Sequence, residues 1–201
     1  QVRCTKQVTD SAAMEQAVTA ALPGDRICIS GNMGAARLEV TRSGPPDRPI
    51  VILGGGKAIT QGVTVHANHV VVDGVIAQQP TAPGISIKGT DITVKNSSSI
   101  SPRGGDGDGL RFWGNDLQIL HNTIRDTRGR KERHADCMQT FATDDDHPAS
   151  QNVLIDSNRC ADIDNICLIA EGPDSEAGDG SGRGHSRHIV FSNNYCENGA
   201  A

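Results

Sequence analysis

The stretch Leu-Gln-Ile-Leu-His-Asn-Thr-Ile, residues 117–124, decides the fold because its pattern returns along the chain. An apolar, spacer, apolar triplet is followed by an asparagine-rich turn and then by another apolar or Cys residue. The pattern recurs at 153–160 and 189–196, and weaker copies begin at Val70 and Ile92, so that the starts are 22, 25, 36 and 36 residues apart. Such a unit cannot bury its own apolar face, and neighbouring copies must stack. The pattern therefore predicts a solenoid, and it also predicts which residues lie above one another.

The composition fits a core made of stacked aliphatic rows. The 201 residues are enough for one domain, 1–201, with a sizeable core. Aromatic residues make up only 2 % of the chain, whereas the 23 glycines suit a fold with several turns in every coil. The net charge of −5 is too small to indicate a nucleic-acid partner, and no apolar run is long enough to span a membrane. We therefore expect neither kind of partner.

The N-terminal region predicts one helix over residues 9–22. Thr9, Asp10 or Ser11 can cap its start, and Pro23-Gly24-Asp25 ends it. Its apolar stripe has helical spacing and consists of Met14, Ala17, Val18 and Ala21. A short amphipathic helix at this place would cover the otherwise exposed end of a coil stack.

Short Val- and Ile-rich segments follow the helix, and they are too close together for intervening helices. The predicted strands are Arg26–Ile29, Leu38–Thr41, Pro49–Leu53, Val63–Val65, Val70–Val72, Ile85–Ile87, Ile92–Val94, Leu110–Phe112 and Leu117–Ile119. This spacing excludes a doubly wound α/β sheet. A β-sandwich would not explain the fixed asparagine position, which we interpret as a structural ladder of Asn122, Asn158 and Asn194.

Two stretches resemble a known family. Ala-Ala-Leu-Pro-Gly-Asp-Arg-Ile-Cys-Ile, residues 20–29, resembles the opening of pectate-lyase-like right-handed parallel β-helix proteins. Thr-Arg-Ser-Gly-Pro-Pro-Asp-Arg-Pro-Ile-Val-Ile, residues 41–52, is most similar to the chondroitinase B and alginate lyase type. The resemblance implies an all-β, right-handed, single-stranded parallel β-helix with an N-terminal capping helix. The resemblance does not identify catalytic residues in this chain, because the chain has no clear copy of the lyases' catalytic Lys/Arg motif.

The six cysteines indicate disulfides and hence a secreted, extracellular protein. The chain starts at Gln1 without Met, which we interpret as a mature form with its signal removed. Register predicts that Cys160 bonds to Cys196, because stacked strands are about 5 Å apart. The cysteines that flank the helix are expected to pair as Cys4–Cys28, which leaves Cys137–Cys167. The alternative is that some of the six are buried free thiols.

The two longest repeats carry insertions, at 125–133, 143–150 and 171–188. Insertions in a solenoid often build its binding face. The first insertion is basic and offers candidate substrate-binding residues Arg128 and Arg130, together with Lys131 and Arg133. An anionic polymer such as a uronate-containing polysaccharide would suit this charge, although a solvated loop with ordinary charges is the alternative.

Two neighbouring turn-and-strand segments form the candidate catalytic patch. Aligning residues 106–112 with 134–140 places Asp108 over Asp136 and Asp106 over His134, and it stacks Arg111 on Gln139. Carboxylates about 5 Å apart raise one pKa or bind a cation. The competing interpretation is that Asp108 and Asp136 only accept hydrogen bonds from the turn backbone.

Three functions could use this patch. In β-elimination on an acidic polysaccharide, His134, Lys131 or Arg133 is the base, and calcium is held by Asp106, Asp108 and Asp136. In hydrolysis of the polygalacturonase type, the acid and the base would come from the clustered Asp106, Asp108 and Asp136, although the adjacent Asp pair of those enzymes is absent. The third function is that of a glycan-binding or cell-surface module without chemistry. The family resemblance and the basic loop favour the lyase.

Three further features complete the expectations. Trp113, the only tryptophan, is a candidate for stacking on a sugar, and Arg111, Gln139 and His185 are candidate substrate contacts. The run of three Asp residues before His147 suits a charged loop tip better than a cation site. The chain ends directly after an asparagine turn, so we expect a second chain or a further segment to cover that end of the stack.

Overall fold

The structure, a computed structural model, describes residues 3–129, 134–173 and 185–199. In these ranges the chain is all-β, with one helix and seventeen strands, and all pairings between the strands are parallel. The elements are β1 (Lys6–Val8), α1 (Ser11–Thr19), β2 (Arg26–Ile29), β3 (Gly31–Asn32), β4 (Leu38–Val40), β5 (Ile50–Thr60), β6 (Val63–His66), β7 (Val70–Gln78), β8 (Ile85–Lys95), β9 (Ser98–Ile100), β10 (Leu110–Leu120), β11 (Thr123–Arg125), β12 (Met138–Ala142), β13 (Gln151–Asp156), β14 (Arg159–Ile163), β15 (Leu168–Pro173), β16 (Arg187–Ser192) and β17 (Tyr195–Asn198).

The strands form three rows of parallel neighbours, which are the faces of a curled sheet. Row 1 contains β1, β2, the first parts of β5 and β7, the last parts of β8 and β10, and then β13 and β16. Row 2 contains β3, the last parts of β5 and β7, and then β9, β11, β14 and β17. Row 3 contains β4, β6, the first parts of β8 and β10, and then β12 and β15. Because the chain visits row 3, row 1 and row 2 in turn, its arrangement is consistent with a solenoid.

The register predicted from the repeat is confirmed. Val70, Ile92, Leu117, Val153 and Ile189 lie above one another in row 1. Alternate residues of each strand point inward, and together they form one apolar cluster that is dominated by Val, Ile and Leu. The apolar residues of the repeat therefore form the core of the molecule. One repeat cannot bury its apolar face alone, so the repeats stack.

Some predicted strands are parts of longer ones. The segments 85–87 and 92–94 are the two ends of β8, which continues through the corner between row 3 and row 1. Gly89 and Gly114 stack at this corner with φ of 144° and 132°, and a Cβ on Gly114 would lie 1.9 Å from the Gly89 carbonyl oxygen. Only glycine allows such a close approach of one coil to the next.

The helix is shorter than the predicted 9–22, since α1 covers Ser11–Thr19. Asp10 is the N-cap, and its carboxylate accepts the backbone N–H of Ala13 at 2.8 Å. The helix stops early because Asp25 accepts the N–H of Leu22 at 2.8 Å and fixes a turn there instead. Met14, Ala17 and Val18 pack on the end of the core, as predicted. No helix in the described ranges has the length and apolar character needed to cross a membrane.

The asparagine ladder has the predicted structural role. Asn158 Oδ1 accepts the backbone N–H of Asn122 at 2.8 Å, and its Nδ2 donates to the Ile119 carbonyl at 2.8 Å. Asn194 repeats this arrangement one coil later, and Asn122 one coil earlier, where its Oδ1 accepts the N–H of Ser97. The amides thus satisfy backbone groups inside the turn between row 1 and row 2.

All six cysteines form disulfides, but two of the predicted pairings are wrong. Cys4–Cys28 is confirmed, whereas the other bonds are Cys137–Cys160 and Cys167–Cys196 rather than 160–196 and 137–167. The expected register is present, because Cys160 and Cys196 are partners in row 2. In-register side chains stand parallel and about 5 Å apart, however, which is wider than the ~3.8 Å between the Cβ atoms of a disulfide. The bonds instead cross from row 3 to row 2.

Candidate functional site

The outer face of row 3 carries the polar and aromatic side chains from which a site can be built. Because residues alternate along a strand, each coil offers two outward positions, and these stack into two columns. We call the two columns together the row 3 face. The first column is Glu39, Thr64, Ser86, Arg111 and Gln139, and the second is His66, Lys88, Trp113 and Phe141.

Asp108 and Asp136 stack as predicted, yet both are buried in the turn that precedes row 3. Asp108 is 0 % exposed and Asp136 is 3 % exposed. Asp108 Oδ1 accepts the backbone N–H of Asp136 at 2.8 Å, and Asp136 Oδ1 accepts that of Ile166 at 3.1 Å. Asn165 also donates its amide to Asp136 Oδ1. Each carboxylate therefore accepts a backbone hydrogen bond from the next coil. This agrees with the interpretation that Asp108 and Asp136 are structural residues of the turn.

Arg111 contacts both aspartates of its own turn and a glutamine of the next coil. Its Nε donates to Asp108 Oδ2 at 2.7 Å, and its Nη2 forms an ion pair with Asp106 and donates to Gln139 Oε1 at 3.0 Å. Burial raises the pKa of Asp108 to about 7, and the negative charge of Asp136 acts in the same direction. Burial also raises the pKa of Asp136. Burial thus favours the protonated forms of both Asp108 and Asp136.

The predicted calcium ligands do not converge. In the described part of the chain, the only group of three or more His, Cys, Asp or Glu ligand atoms within 4.8 Å of one another is Cys160, Cys167 and Cys196. Those sulfurs are in disulfides, so they are not thiolate ligands. Asp106 and Asp108 contact the cationic Arg111 instead. A calcium site at Asp106, Asp108 and Asp136 stays a prediction.

The remaining candidates divide into three groups. His134, which follows the first insertion, is exposed directly before β12. On the insertion itself, Arg128 is held by an ion pair with Asp162 at 2.6 Å, which is the main cause that raises its pKa. Arg130, Lys131 and Arg133 lie outside the described residues. The described part of the insertion therefore contributes an arginine that is already paired. His185, on the third insertion, is exposed.

A contact that the sequence analysis missed lies further down the row 3 face. His66 Nε2 is 2.9 Å from Ser86 Oγ, and Lys88 is the register partner of His66 on the next coil. His66 keeps part of its ring exposed to solvent, whereas Ser86 is 8 % exposed. A histidine thus contacts a hydroxyl on the next strand, and a lysine occupies the neighbouring position of the second column.

The surroundings of His66 keep its imidazole neutral. Partial burial is the main cause that lowers its pKa, and the positive charges of Lys88 and Arg37 lower it further. Arg37 is fixed on this face by hydrogen bonds to Thr64 Oγ1 and to the Pro83 carbonyl, each 2.7 Å long. A neutral histidine beside two cations can accept a proton while an anion binds next to it.

Trp113 does not present an open face. Its ring contacts Phe141 and His147, with centroids 5.3 Å and 4.9 Å away, and the residue is 5 % exposed. The Arg111 guanidinium lies 5.2 Å from the Phe141 centroid. His147 belongs to the second insertion, in which Asp144 accepts hydrogen bonds from the backbone of Asp146 and His147. The predicted loop tip thus folds back onto the row 3 face.

The spacing of the repeats also applies to the residues of the second column. Positions 66, 88 and 113 are separated by 22 and 25 residues, which are the first two intervals of the row 1 repeat. Outward-facing positions therefore recur at the same intervals as the core positions. Applied to the early coils, this register identifies His66, Lys88 and Trp113 as neighbours.

Comparisons with known proteins give limited similarity. No family model matches the chain, and no curated protein is significantly similar to it. Among solved structures, an alginate lyase from Paenibacillus sp. str. FPU-7 aligns with 98 % of this chain and 97 % of its own, at 10 % identity and a TM-score of 0.47.

Proposed function

We propose that the row 3 face binds an acidic, uronate-containing polysaccharide and cleaves it by β-elimination. His66 is the base in this proposal, and Lys88 contacts the uronate carboxylate. The observation that carries the proposal is the contact of His66 Nε2 with Ser86 Oγ at 2.9 Å, beside Lys88 at the register position of His66 on the next coil. The two tasks of β-elimination, proton removal and neutralisation of the adjacent carboxylate, fall to neighbouring side chains.

The chemistry follows from this arrangement. When His66 Nε2–H donates to Ser86 Oγ, the lone pair of Nδ1 is left to take the proton at C5 of the uronate. The electron pair of that C–H bond forms the C4–C5 double bond, the bond from C4 to the glycosidic oxygen breaks, and this oxygen takes a proton from water. Ser86 is a positioning residue here, because its contact selects the tautomer of His66.

The same proposal covers the architecture and the location of the protein. We propose that the three rows close into a right-handed β-helix of the pectate-lyase-like type, which is what the segments 20–29 and 41–52 resemble. The three disulfides support a secreted, extracellular protein, because such bonds persist in oxidising compartments.

The alternatives fit the geometry less well. A hydrolase of the polygalacturonase type needs two carboxyl groups that face the sugar. Asp108 and Asp136 are buried and bound to backbone N–H groups, so they do not fit that role. A glycan-binding module without chemistry has one supporting observation, since Arg111 is already paired with Asp106 and Asp108. Activity measurements separate it from the lyase.

The test is a polysaccharide panel of pectate, alginate, hyaluronan, chondroitin and neutral controls, each with and without calcium. Ultraviolet absorbance reports unsaturated uronate, and reducing ends report every cleavage. We expect both signals to rise together on one acidic polymer. Reducing ends without absorbance would indicate hydrolysis, and binding without either signal would indicate the glycan-binding module. A requirement for calcium would support the cation site predicted from Asp106, Asp108 and Asp136.

Variants assign the base. His66→Gln keeps a donor for Ser86 but cannot take the proton, so kcat is expected to fall at least about a hundredfold. Lys88→Gln should raise KM and lower kcat, while Lys57→Gln, an exposed lysine on β5, is the matched control. His134→Gln tests the base predicted from the sequence. Full activity of His66→Gln with loss in His134→Gln would move the site to the turn before β12.

A further inference from the structure

The indole N–H of Trp113 lacks a partner. Its Nε1 is buried and has no hydrogen-bond acceptor within the residues that the structure describes, although the rest of the ring is well packed. Leaving such a donor buried and unsatisfied is unfavourable, because its hydrogen bond to water is lost without replacement. Buried tryptophans normally direct this N–H at an acceptor. A position on the outer face of a strand gives the ring an obvious alternative, namely solvent or a ligand.

Trp113 is covered by the segment 143–149, which we call the His147 loop. The His147 ring lies against Trp113 and Phe141, with centroids 4.9 Å and 5.0 Å away. Within the loop, His147 Nδ1 is 2.8 Å from Asp144 Oδ1. Asp146 reaches Lys88 at 3.9 Å with 89 % of its own side chain exposed, and an exposed ion pair of this length adds little to stability. The ring of His147 is therefore the contact by which the loop covers the indole.

We infer that Trp113 is a sugar-stacking subsite that the His147 loop covers in the free protein. When the loop moves aside, a pyranose ring stacks on the exposed indole, and an oxygen of that sugar accepts the N–H that is now without a partner. Lys88 precedes Trp113 in the same column, one strand away, so an acidic sugar at the subsite lies beside an ammonium group. The identity of the sugar as a uronate rests on the proposed function, whereas the subsite itself rests on the buried N–H and its cover.

The sequence supplies the probe, because Trp113 is the only tryptophan. Its emission and its quenching by acrylamide therefore report this position alone. In the free protein we expect little quenching. His147→Ala should raise the quenching constant several-fold by uncovering the ring, whereas His134→Ala, which removes an exposed imidazole before β12, should leave it unchanged. Equal quenching of the wild type and His147→Ala would overturn the inference.

Titration with an oligosaccharide of the cleaved polymer completes the test, and the cleavage-deficient His66→Gln keeps the ligand intact. We expect a saturable change in Trp113 emission, and about two- to fivefold tighter binding when His147→Ala is added, because the loop no longer has to be displaced. In the otherwise unaltered protein, Trp113→Phe removes the N–H but keeps an aromatic ring, and it should raise KM up to about tenfold with kcat little changed.

The outcomes separate this inference from the proposed function. Cleavage by β-elimination without any response of Trp113 emission to the sugar would overturn the subsite and leave the lyase standing. A saturable response without cleavage on any polymer would leave the subsite standing and overturn the lyase. If Trp113→Phe loses its circular dichroism signal, His147→Ala still decides the case, since its substitution lies in the exposed loop.

Discussion

At the residue scale, Asp108 and Asp136 carry the hydrogen bonds of a turn. Their spacing before two strands made them candidate catalytic acids, and the structure stacks them as the register predicts. Their oxygens, however, accept backbone N–H groups of the following coil. The sequence shows which residues stack, but it does not show whether an oxygen faces the solvent or the turn, because that depends on the path of the turn backbone.

The protonation of Asp108 gives a prediction about stability. Its pKa is raised from 3.8 to about 7 in the folded state, so between those pH values the native chain holds a proton that the unfolded chain has released. The contribution of Asp108 to the free energy of unfolding is therefore greatest below pH 4, and it falls as the pH rises towards 7. The slope approaches about 1.4 kcal/mol per pH unit for one proton. Chemical denaturation at several pH values measures it.

Asp108→Asn is the matched variant for that measurement. It removes the titrating group, so its denaturation free energy should have a flatter dependence on pH than that of the wild type over the same range. Its absolute stability is expected to be lower, since an amide has one oxygen for two donors, the Asp136 N–H and Arg111 Nε. An unchanged slope would show that Asp108 titrates in the folded chain as it does in the unfolded one.

His66 gives a prediction about activity. Its lowered pKa keeps the imidazole neutral at pH values where an ordinary histidine, with a pKa of 6.5, is protonated. As a base it is active when neutral, so kcat/KM should rise with pH through a midpoint below 6.5 and then level off. Lys88→Gln removes one of the charges that lowers the pKa, and it should move this midpoint upward. A midpoint that does not respond to Lys88 would assign the base to another group.

At the element scale, the asparagine ladder was predictable and the disulfide pairing was not. The ladder depends only on register, which the repeat defines. A disulfide depends also on the direction of each Cβ, and in-register positions of parallel strands are too far apart for the bond. Four cysteines stack in two columns, and the bonds connect the columns instead of following them. The spacing of the cysteines in the sequence predicts the two columns. It does not show that the chain brings row 3 and row 2 close enough for bonds between the columns.

The ladder makes a prediction about its own strength. Asn158→Ala removes the hydrogen bonds to the Asn122 N–H and to the Ile119 carbonyl in a buried turn, and we expect a loss of about 2–4 kcal/mol in the free energy of unfolding. Asn158→Ser should recover part of the loss, because Ser97 occupies the equivalent place one coil below Asn122 and accepts the N–H of Val75. Thermal or chemical denaturation measures both variants, and equal losses for Ala and Ser would contradict the hydrogen-bond account.

At the scale of the whole molecule, each coil contacts mainly its neighbours, so stability is expected to vary along the stack. Cys167→Ser with Cys196→Ser opens a loop of 29 residues and should cost about 3 kcal/mol. Hydrogen exchange should accelerate in β14 to β17 and change little in β2 to β5. Cys4→Ser with Cys28→Ser is the matched variant at the other end and should show the reverse distribution. Uniform acceleration in both would mean that the stack unfolds as one unit.

The architecture could be predicted from the sequence to the level of rows and register. The interval between repeats, the alternation inside each strand and the shortage of aromatic residues all follow from the stacking of coils. The site was less accessible, since both the meeting of His66 with Ser86 and the covering of Trp113 by His147 depend on side-chain directions and loop paths. The repeat spacing assigns His66, Ser86 and Trp113 to their columns, but it does not show which side chains touch.

The ladder also has a direction. Each asparagine serves the coil before it, because Asn158 accepts the N–H of Asn122 and Asn194 accepts that of Asn158. A 36-residue segment cut at equivalent positions, such as 117–152, therefore carries its own asparagine and its own receiving backbone. Duplicating such a segment in tandem would lengthen the stack by one turn and recreate the asparagine hydrogen bonds at its single new junction. An engineered chain can thus be extended by whole modules of this length.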